Sequence, residues 1–169
     1  LVDGGSTSQS MVGMYKVLPY VKSRGISRIQ AAFITHTDED HCNGIMEILE
    51  AQTAHTTSVR IERLILPDWE EKPQIYIRLL ELAQAADVPV SYVGRGDVMA
   101  ARELKLSILN PGTEVNLEDI NGGSIVIQAD YGKFRGMFTG DIGEKQEREI
   151  LTAVSKCTVL KVAHHGSKN

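Results

Sequence analysis

The sequence predicts an α/β or layered α+β architecture, and three observations carry that prediction. Apolar runs of strand length alternate with helical patterns along the chain. Four polar clusters each follow directly on a strand-like run, where layered αβ proteins collect their ligands. The 169 residues suit one domain, 1–169, because a chain near this size buries roughly 70% of the surface it exposes unfolded.

The opening "LVDGG" reads as the end of a strand. Residues 14–25, "MYKVLPYVKSRG", read as a helix with Val17, Leu18 and Val21 on its apolar face. Gly25 stops it, and Pro19 kinks it or marks a later true start. "RIQAAFIT" (28–35) is a strand. "NGIMEILEAQ" (43–52) puts Ile45, Ile48 and Leu49 at helical spacing, and "IERLIL" (61–66) is a strand. The clearest helix is 70–87, with Pro73 near its first turn and Ile75, Leu79, Leu82 and Ala86 on one buried face. "VPVSYV", "ELKLSILN", "SIVIQAD" and "KFRGMFTG" read as strands, the last two joined by a hairpin through Tyr131 and Gly132. An acid-led helix (143–154) and a final strand, "TVLKVA", complete the pattern.

Composition excludes several classes. No apolar run approaches the ~20 residues that span a bilayer, and no basic start leads an apolar block as in a signal peptide. The chain begins on Leu1 and stops just after a polar cluster, so both ends read as cut from a longer protein. Cys42 and Cys157 lie far apart with no CxxC pairing, which indicates neither a disulfide framework nor a Cys-rich zinc site. A pI of 5.7 and the lack of a basic, aromatic-rich stripe speak against binding nucleic acid by charge alone.

Residues 36–41, "HTDEDH", are the chemical anomaly. A chain with 5 His and net charge −4 crowds two His and three carboxylates into six positions, and a divalent cation is the natural compensation. On an extended segment His36, Asp38 and Asp40 point one way while Thr37 and Glu39 point outward. A turn at Asp40-His41 then brings His41 inward ahead of a helix starting at Asn43. His36 with Asp38, and Asp40 with His41, each suit one cation with mixed N and O ligands. Further ligands must come from the other strand ends, Asp141 and the His164/His165 pair. Asp3 reads as a structural carboxylate, Cys42 as a small buried residue at a helix start, and His55 as a surface residue.

The clusters "LVDGG", His36-x-Asp38-x-Asp40-His41, "FTGD" and "VAHHGS" resemble, in order, the motifs of the metallo-β-lactamase superfamily, with Asp38 in the place of a second His. Their combination resembles the C-terminal domain of the ComEC family of DNA-internalisation proteins over essentially the whole chain. The resemblance implies an α+β fold, a layered αββα sandwich with a metal site along one rim. It implies two divalent cations and cleavage of DNA phosphodiesters during uptake. His36 and Asp38 would hold one metal, Asp40 and His41 the other, and Asp141 would bridge them. One of His164 and His165 would ligate, with His164 favoured as nearer the strand end. Asp40 and His165 are the candidate catalytic residues. Mn²⁺ and Zn²⁺ fit the ligand set, and so does Mg²⁺. Such a pair acidifies a shared water and polarises a phosphoryl oxygen.

Many members carry a further His on the loop that here reads "EDINGGS" (118–124), where Asn121 or Ser124 could stand in. Two cations, three Asp and one hydroxide cancel in charge, so Lys161, Lys168 or groups elsewhere must attract DNA. The resemblance also implies attachment to an integral membrane channel, with this domain on the extracytoplasmic side of the plasma membrane. The competing expectations are a hydrolase of a small-molecule ester or lactone and a degenerate, non-catalytic binding domain.

Overall fold

The computed structural model describes residues 1–112 and 117–167, so Lys168 lies outside the described residues. The chain divides into two compact units, Leu1–Leu66 with Lys72–Ser91, and Pro67–Glu71 with Tyr92–Asn169.

The first unit opens on the "LVD" end, where Val2 bridges Phe33 in parallel. A π-helical turn, Gly13–Val17, runs into α1 (Leu18–Ser23) with Pro19 in its first turn, where a missing N–H disturbs no helical bond. The predicted single helix is therefore two windings, with the change at the proline. Gly25 closes it at φ 71°, donating its N–H to the Lys22 carbonyl.

Two predicted strands are each interrupted. "RIQAAFIT" becomes β1 (Arg28–Ile29) and β2 (Ala32–Phe33), and the next run becomes β3 (Arg60–Ile61) and β4 (Leu64–Pro67). β1 pairs β3, and β2 pairs β4, both in parallel. Backbone bonds from Glu62 N to Ile29 O and from Ala32 N to Arg63 O carry the pairing across both breaks. β5 (Val90–Val93), whose first two residues belong to this unit, lies beside β4.

Between the strands run α2 (Glu39–Thr53) and α3 (Gln74–Ala85). α2 buries Cys42, Ile45, Ile48 and Leu49 completely, one stripe at i, i+3, i+6 and i+7 on an amphipathic helix. It begins four residues before the expected Asn43, because Asp38 takes the extended N-cap position and Glu39 and Asp40 fill the first turn. Acids favour that end through the helix dipole. α3 follows Pro73 as predicted, but its buried face starts at Tyr76, and Ile75 is exposed. With the helix starting at Gln74, Tyr76, Leu79 and Ala83 line up on one side.

Gly4, Gly13 and Gly44 let three backbones meet in this unit. A Cβ on Gly44 would overlap the Gly4 carbonyl oxygen, and one on Gly13 would overlap the Gly44 carbonyl oxygen. The "DGG" segment is thereby pressed onto the start of α2, and Gly4 N donates to His41 O at 3.0 Å.

The second unit holds a sheet in the order β10-β9-β8-β7-β6. β6 (Val98–Ala101), β7 (Leu104–Asn110), β8 (Val126–Tyr131) and β9 (Phe134–Phe138) are antiparallel neighbours. β6 escaped the sequence reading because "VMAA" is short and lacks alternation. β10 (Val159–Lys161) pairs β9 in parallel, Lys161 opposite Phe138, so both strands end on the same side of the sheet. α4 (Glu144–Ile150) contributes Ile150 to a core with Val126, Met137, Ile142 and Ala163. No helix among the described residues is long and apolar enough to cross a membrane.

Candidate metal centre

Within the first unit, His36 and His41 are buried, at 0% and 2% exposure. Their ring centroids are 4.1 Å apart and tilted by 53°. Two imidazolium charges at ~4 Å would repel by roughly 4 kcal/mol at an effective dielectric of 20, so both rings are not protonated together.

Their tautomers follow from one carboxylate. Asp3 accepts the Thr35 backbone N–H at 2.8 Å on Oδ1 and the Thr35 hydroxyl at 2.9 Å on Oδ2. His41 Nδ1 also stands 2.9 Å from Oδ2. A carboxylate only accepts, so Nδ1 of His41 carries a proton, and in the neutral ring Nε2 carries the lone pair. Thr35 spends its single hydroxyl proton on Asp3. It therefore accepts from His36 Nδ1, 3.1 Å away, and the neutral His36 ring likewise keeps its lone pair on Nε2. A ligating histidine is held in this way, by the hydrogen bond of its other nitrogen. Asp3 thus takes the structural role expected of it, and Thr35 is a supporting residue the sequence reading missed. Its only sequence signal is a strand-end hydroxyl directly before His36.

Asp38 sits at the N-cap of α2 without capping it. Its carboxylate turns instead to His36, with Oδ2 3.5 Å from Nε2. With the His36 ring neutral, two acceptors face each other at that separation, and a cation between them would satisfy both. Ligands ~2.1 Å from a cation at a tetrahedral angle are ~3.4 Å apart, so the donor set and spacing fit a divalent ion. Asp40 and His41 fall in the first helical turn rather than on an extended segment, which corrects the expected alternation. Thr37, expected to point outward, is buried, while Glu39 is exposed. The Thr37 carbonyl accepts the Cys42 S–H at 3.6 Å. Burial pushes the Cys42 thiol up to about 12, so it stays a neutral thiol near physiological pH. His55 is exposed.

Within the second unit, the parallel pairing of β9 and β10 brings Asp141 beside the histidine pair. Asp141 is 4% exposed. Lys161 Nζ donates to its Oδ1 at 2.9 Å and to the Gly140 carbonyl at 2.7 Å. His165 Nε2 lies 3.3 Å from Oδ2, again a spacing that two ligands of one cation adopt. His164 gives its backbone N–H to Gly140 O at 3.3 Å. His164 and His165 both take left-handed φ, at 47° and 53°. The "NGGS" loop is a short helical turn, Asn121–Gly123. Ser124 Oγ accepts the Asp141 N–H at 3.2 Å, so Ser124 supports Asp141. Trp69 and Asn110 tie this loop down through the Gly123, Gly122 and Ser124 carbonyls.

Histidines and carboxylates at strand ends are the donors that metal-dependent hydrolases use, and the family model of the metallo-β-lactamase superfamily matches residues 1–169. The chain belongs to that superfamily, whose members are mainly metal-dependent hydrolases, and it has the α+β fold of that family. Among individual proteins, it is 30% identical over 159 residues to ComE operon protein 3 of Bacillus subtilis, covering 93% of this chain and 20% of that protein. It is 29% identical over 165 residues to Recombination protein 2 of Haemophilus influenzae, covering 98% and 18%. The chain therefore spans about a fifth of the length of these curated relatives. The crystal structure of CmlA, a diiron β-hydroxylase from Streptomyces venezuelae, shares the fold with a TM-score of 0.56 at 14% identity, covering 79% of this chain and 25% of that one.

Proposed function

We propose that this chain is a metal-dependent phosphodiesterase that cuts DNA during its uptake, residues 1–169 working as one hydrolase domain. Two divalent cations, Mn²⁺ or Zn²⁺ with Mg²⁺ as a further fit, are held by His36, Asp38, Asp40, His41, Asp141 and one of His164 and His165. The observation that carries the reading is the apposition of His36 Nε2 and Asp38 Oδ2 at 3.5 Å. It puts a carboxylate where a nitrogen-rich zinc site would have a second His, and oxygen-rich sites suit Mn²⁺ and Mg²⁺. The names of the ComE operon and recombination relatives support DNA as the substrate.

Bound cations would supply Lewis acidity toward a phosphoryl oxygen and an acidified water. The chain's own residues do the rest. Asp3 and Thr35 keep the Nε2 lone pairs of His36 and His41 aimed at the ions. Lys161 neutralises Asp141 and fixes its carboxylate plane against Gly140. His165, more than half exposed in its side chain, is placed to donate to a phosphate oxygen. In the parent protein the domain is attached to a membrane channel and works on the extracytoplasmic side.

The test is cleavage of labelled single- and double-stranded oligonucleotides with Mn²⁺, Zn²⁺ or Mg²⁺. Cleavage is expected with at least one ion and is expected to disappear in Asp40→Ala and Asp141→Ala. Metal counts in His164→Ala and His165→Ala decide which of the pair ligates. A metal-loaded chain that leaves DNA intact and hydrolyses an ester or lactone would be a small-molecule hydrolase, and one binding under one equivalent of any ion would be a non-catalytic binding domain.

A further inference from the structure

At the end of the second unit's sheet away from Asp141, two hairpin turns lie side by side. The β6–β7 turn is Arg102-Glu103 between the paired residues Ala101 and Leu104. The β8–β9 turn is Gly132-Lys133 between the paired residues Tyr131 and Phe134. Leu104 pairs Tyr131, so the two turns are neighbours on one edge. Tyr131 is 55% exposed and Phe134 43%, and they face each other as a cross-strand pair on one face of the sheet. The Phe134 ring lies along its own strand over Gly136, close enough that a Cβ there would be 3.3 Å from Cε1.

Cations surround this pair. Arg102 and Lys133 occupy the turns themselves, and both are exposed. Lys105 and Arg135 stand on the opposite face, joined through Asp130 by the register Lys105–Asp130–Arg135. The only acids in these turns and pairs are Glu103 and Asp130, and Asp130 is already neutralised by Arg135 at 2.5 Å. In a chain of net charge −4, this edge is locally positive. Arg102 also holds φ 55°, the same left-handed value that Gly132 takes in the adjacent turn. A glycine would adopt that conformation without strain, yet an arginine occupies it.

We propose that this edge is a docking surface for single-stranded nucleic acid, with Tyr131 and Phe134 as stacking platforms and Arg102 and Lys133 as phosphate contacts. Exposed rings among cations are the means by which single strands are held without sequence preference, because every base has a face to stack. The strands β8 and β9 run from this edge toward Ser124 and Asp141, about 20 Å away at the rise of an extended chain. A strand held here is thus presented along the sheet to the proposed centre, and the inference deepens the nuclease reading and rests on it for the identity of the ligand.

The experiment is fluorescence anisotropy of a labelled oligo(dT) with the whole chain in chelator, so that binding is read without cleavage. Binding is expected to weaken with salt, with a log–log slope of about −0.7 per phosphate contacted. Tyr131→Ala and Phe134→Ala are each expected to weaken it about tenfold. Arg102→Gly removes a phosphate contact while relieving backbone strain, so it is expected to weaken binding in a chain at least as heat-stable as the parent. A duplex of equal length is expected to bind more weakly, since its bases are already stacked. Equal affinity for duplex, or unchanged affinity in the ring variants, overturns the proposal. So does binding to phosphatidylglycerol vesicles with none to the oligonucleotide, which would make the edge a membrane contact. Cleavage with Mn²⁺ but no effect of these variants on binding sinks the surface alone. Oligonucleotide binding with no cleavage under any divalent ion sinks the nuclease reading alone.

Discussion

Replacing Asp3 by Asn is expected to abolish metal binding in the first unit while leaving the fold nearly intact. Asp3 accepts three hydrogen bonds, from Thr35 N–H, the Thr35 hydroxyl and His41 Nδ1. In Asp3→Asn, the amide oxygen keeps the Thr35 N–H, and the NH₂ group takes the place of Oδ2. That group donates, so His41 Nδ1 must become an acceptor and its proton moves to Nε2. The Thr35 hydroxyl must also accept, so its own proton turns toward His36 Nδ1, and the His36 proton moves to Nε2 in the same way. Both lone pairs that would face a cation are lost through one oxygen-to-nitrogen change. Disturbing the partner of one ligating His typically costs 10–100-fold in metal affinity. With two His inverted together, a loss of at least ~100-fold is expected, or ~2.7 kcal/mol. The number of hydrogen bonds is preserved and only their charge assistance is lost, so the metal-free chain should lose no more than ~1–2 kcal/mol. Calorimetric titration with Mn²⁺ and thermal unfolding without metal read the two quantities separately, and nitrogen-detected NMR of the imidazoles reads the tautomers. Mn²⁺ affinity within about twofold of the parent, or Nε2 lone pairs retained in the variant, would refute the chain of donors.

Gly44→Ala gains ~1 kcal/mol of helix propensity but forces backbone apart where Gly4 meets α2, at a typical overpacking cost of about 1–3 kcal/mol or more. A net fall in melting temperature of a few degrees is expected by calorimetry, with weaker Mn²⁺ binding because Asp3 moves with Gly4. Lys161→Met leaves the buried Asp141 carboxylate without its ammonium partner. The metal-free chain should lose about 1–3 kcal/mol by thermal unfolding, while Mn²⁺ binds more tightly once a like charge is removed; weaker binding would contradict this reading of Lys161. Arg135 holds the Asp130 carboxyl below its usual range, chiefly by hydrogen bonding. A carboxylate whose folded value is depressed contributes stability above its unfolded value, about 4, and loses it as pH falls through the folded one. Arg135→Gln should therefore be less stable than the parent at neutral pH, and the gap in urea unfolding should close below about pH 4.

Much of the architecture is written locally. Strand and helix identities follow from period and from punctuation such as Gly25, Pro73 and Gly132, because these act within a few residues. The helix start at Glu39 was also legible in principle, since an Asp followed by two acids is a helix-opening signal. The spacing of "HTDEDH" also reads as metal ligation from an extended segment, and that reading hides the helix start. The breaks within residues 28–35 and 61–66 were not legible, because both interrupted runs stay hydrogen-bonded through their neighbours and their apolar pattern continues.

The sequence alone determined which residues could bind a cation, the strand-end positions of the four clusters, and a resemblance in motif order that the family match bears out. Those properties are carried by residue type and spacing. Tertiary structure decided which way the donors point. It made Asp3 and Thr35 the arbiters of both histidine tautomers, and turned Asp38 from its cap position to His36. It set His165 against Asp141. It also assembled Arg102, Tyr131, Lys133 and Phe134 on one sheet edge. No basic, aromatic-rich stripe exists along the chain, because these residues come from two turns about thirty positions apart. Only the antiparallel register, Leu104 opposite Tyr131, brings them together.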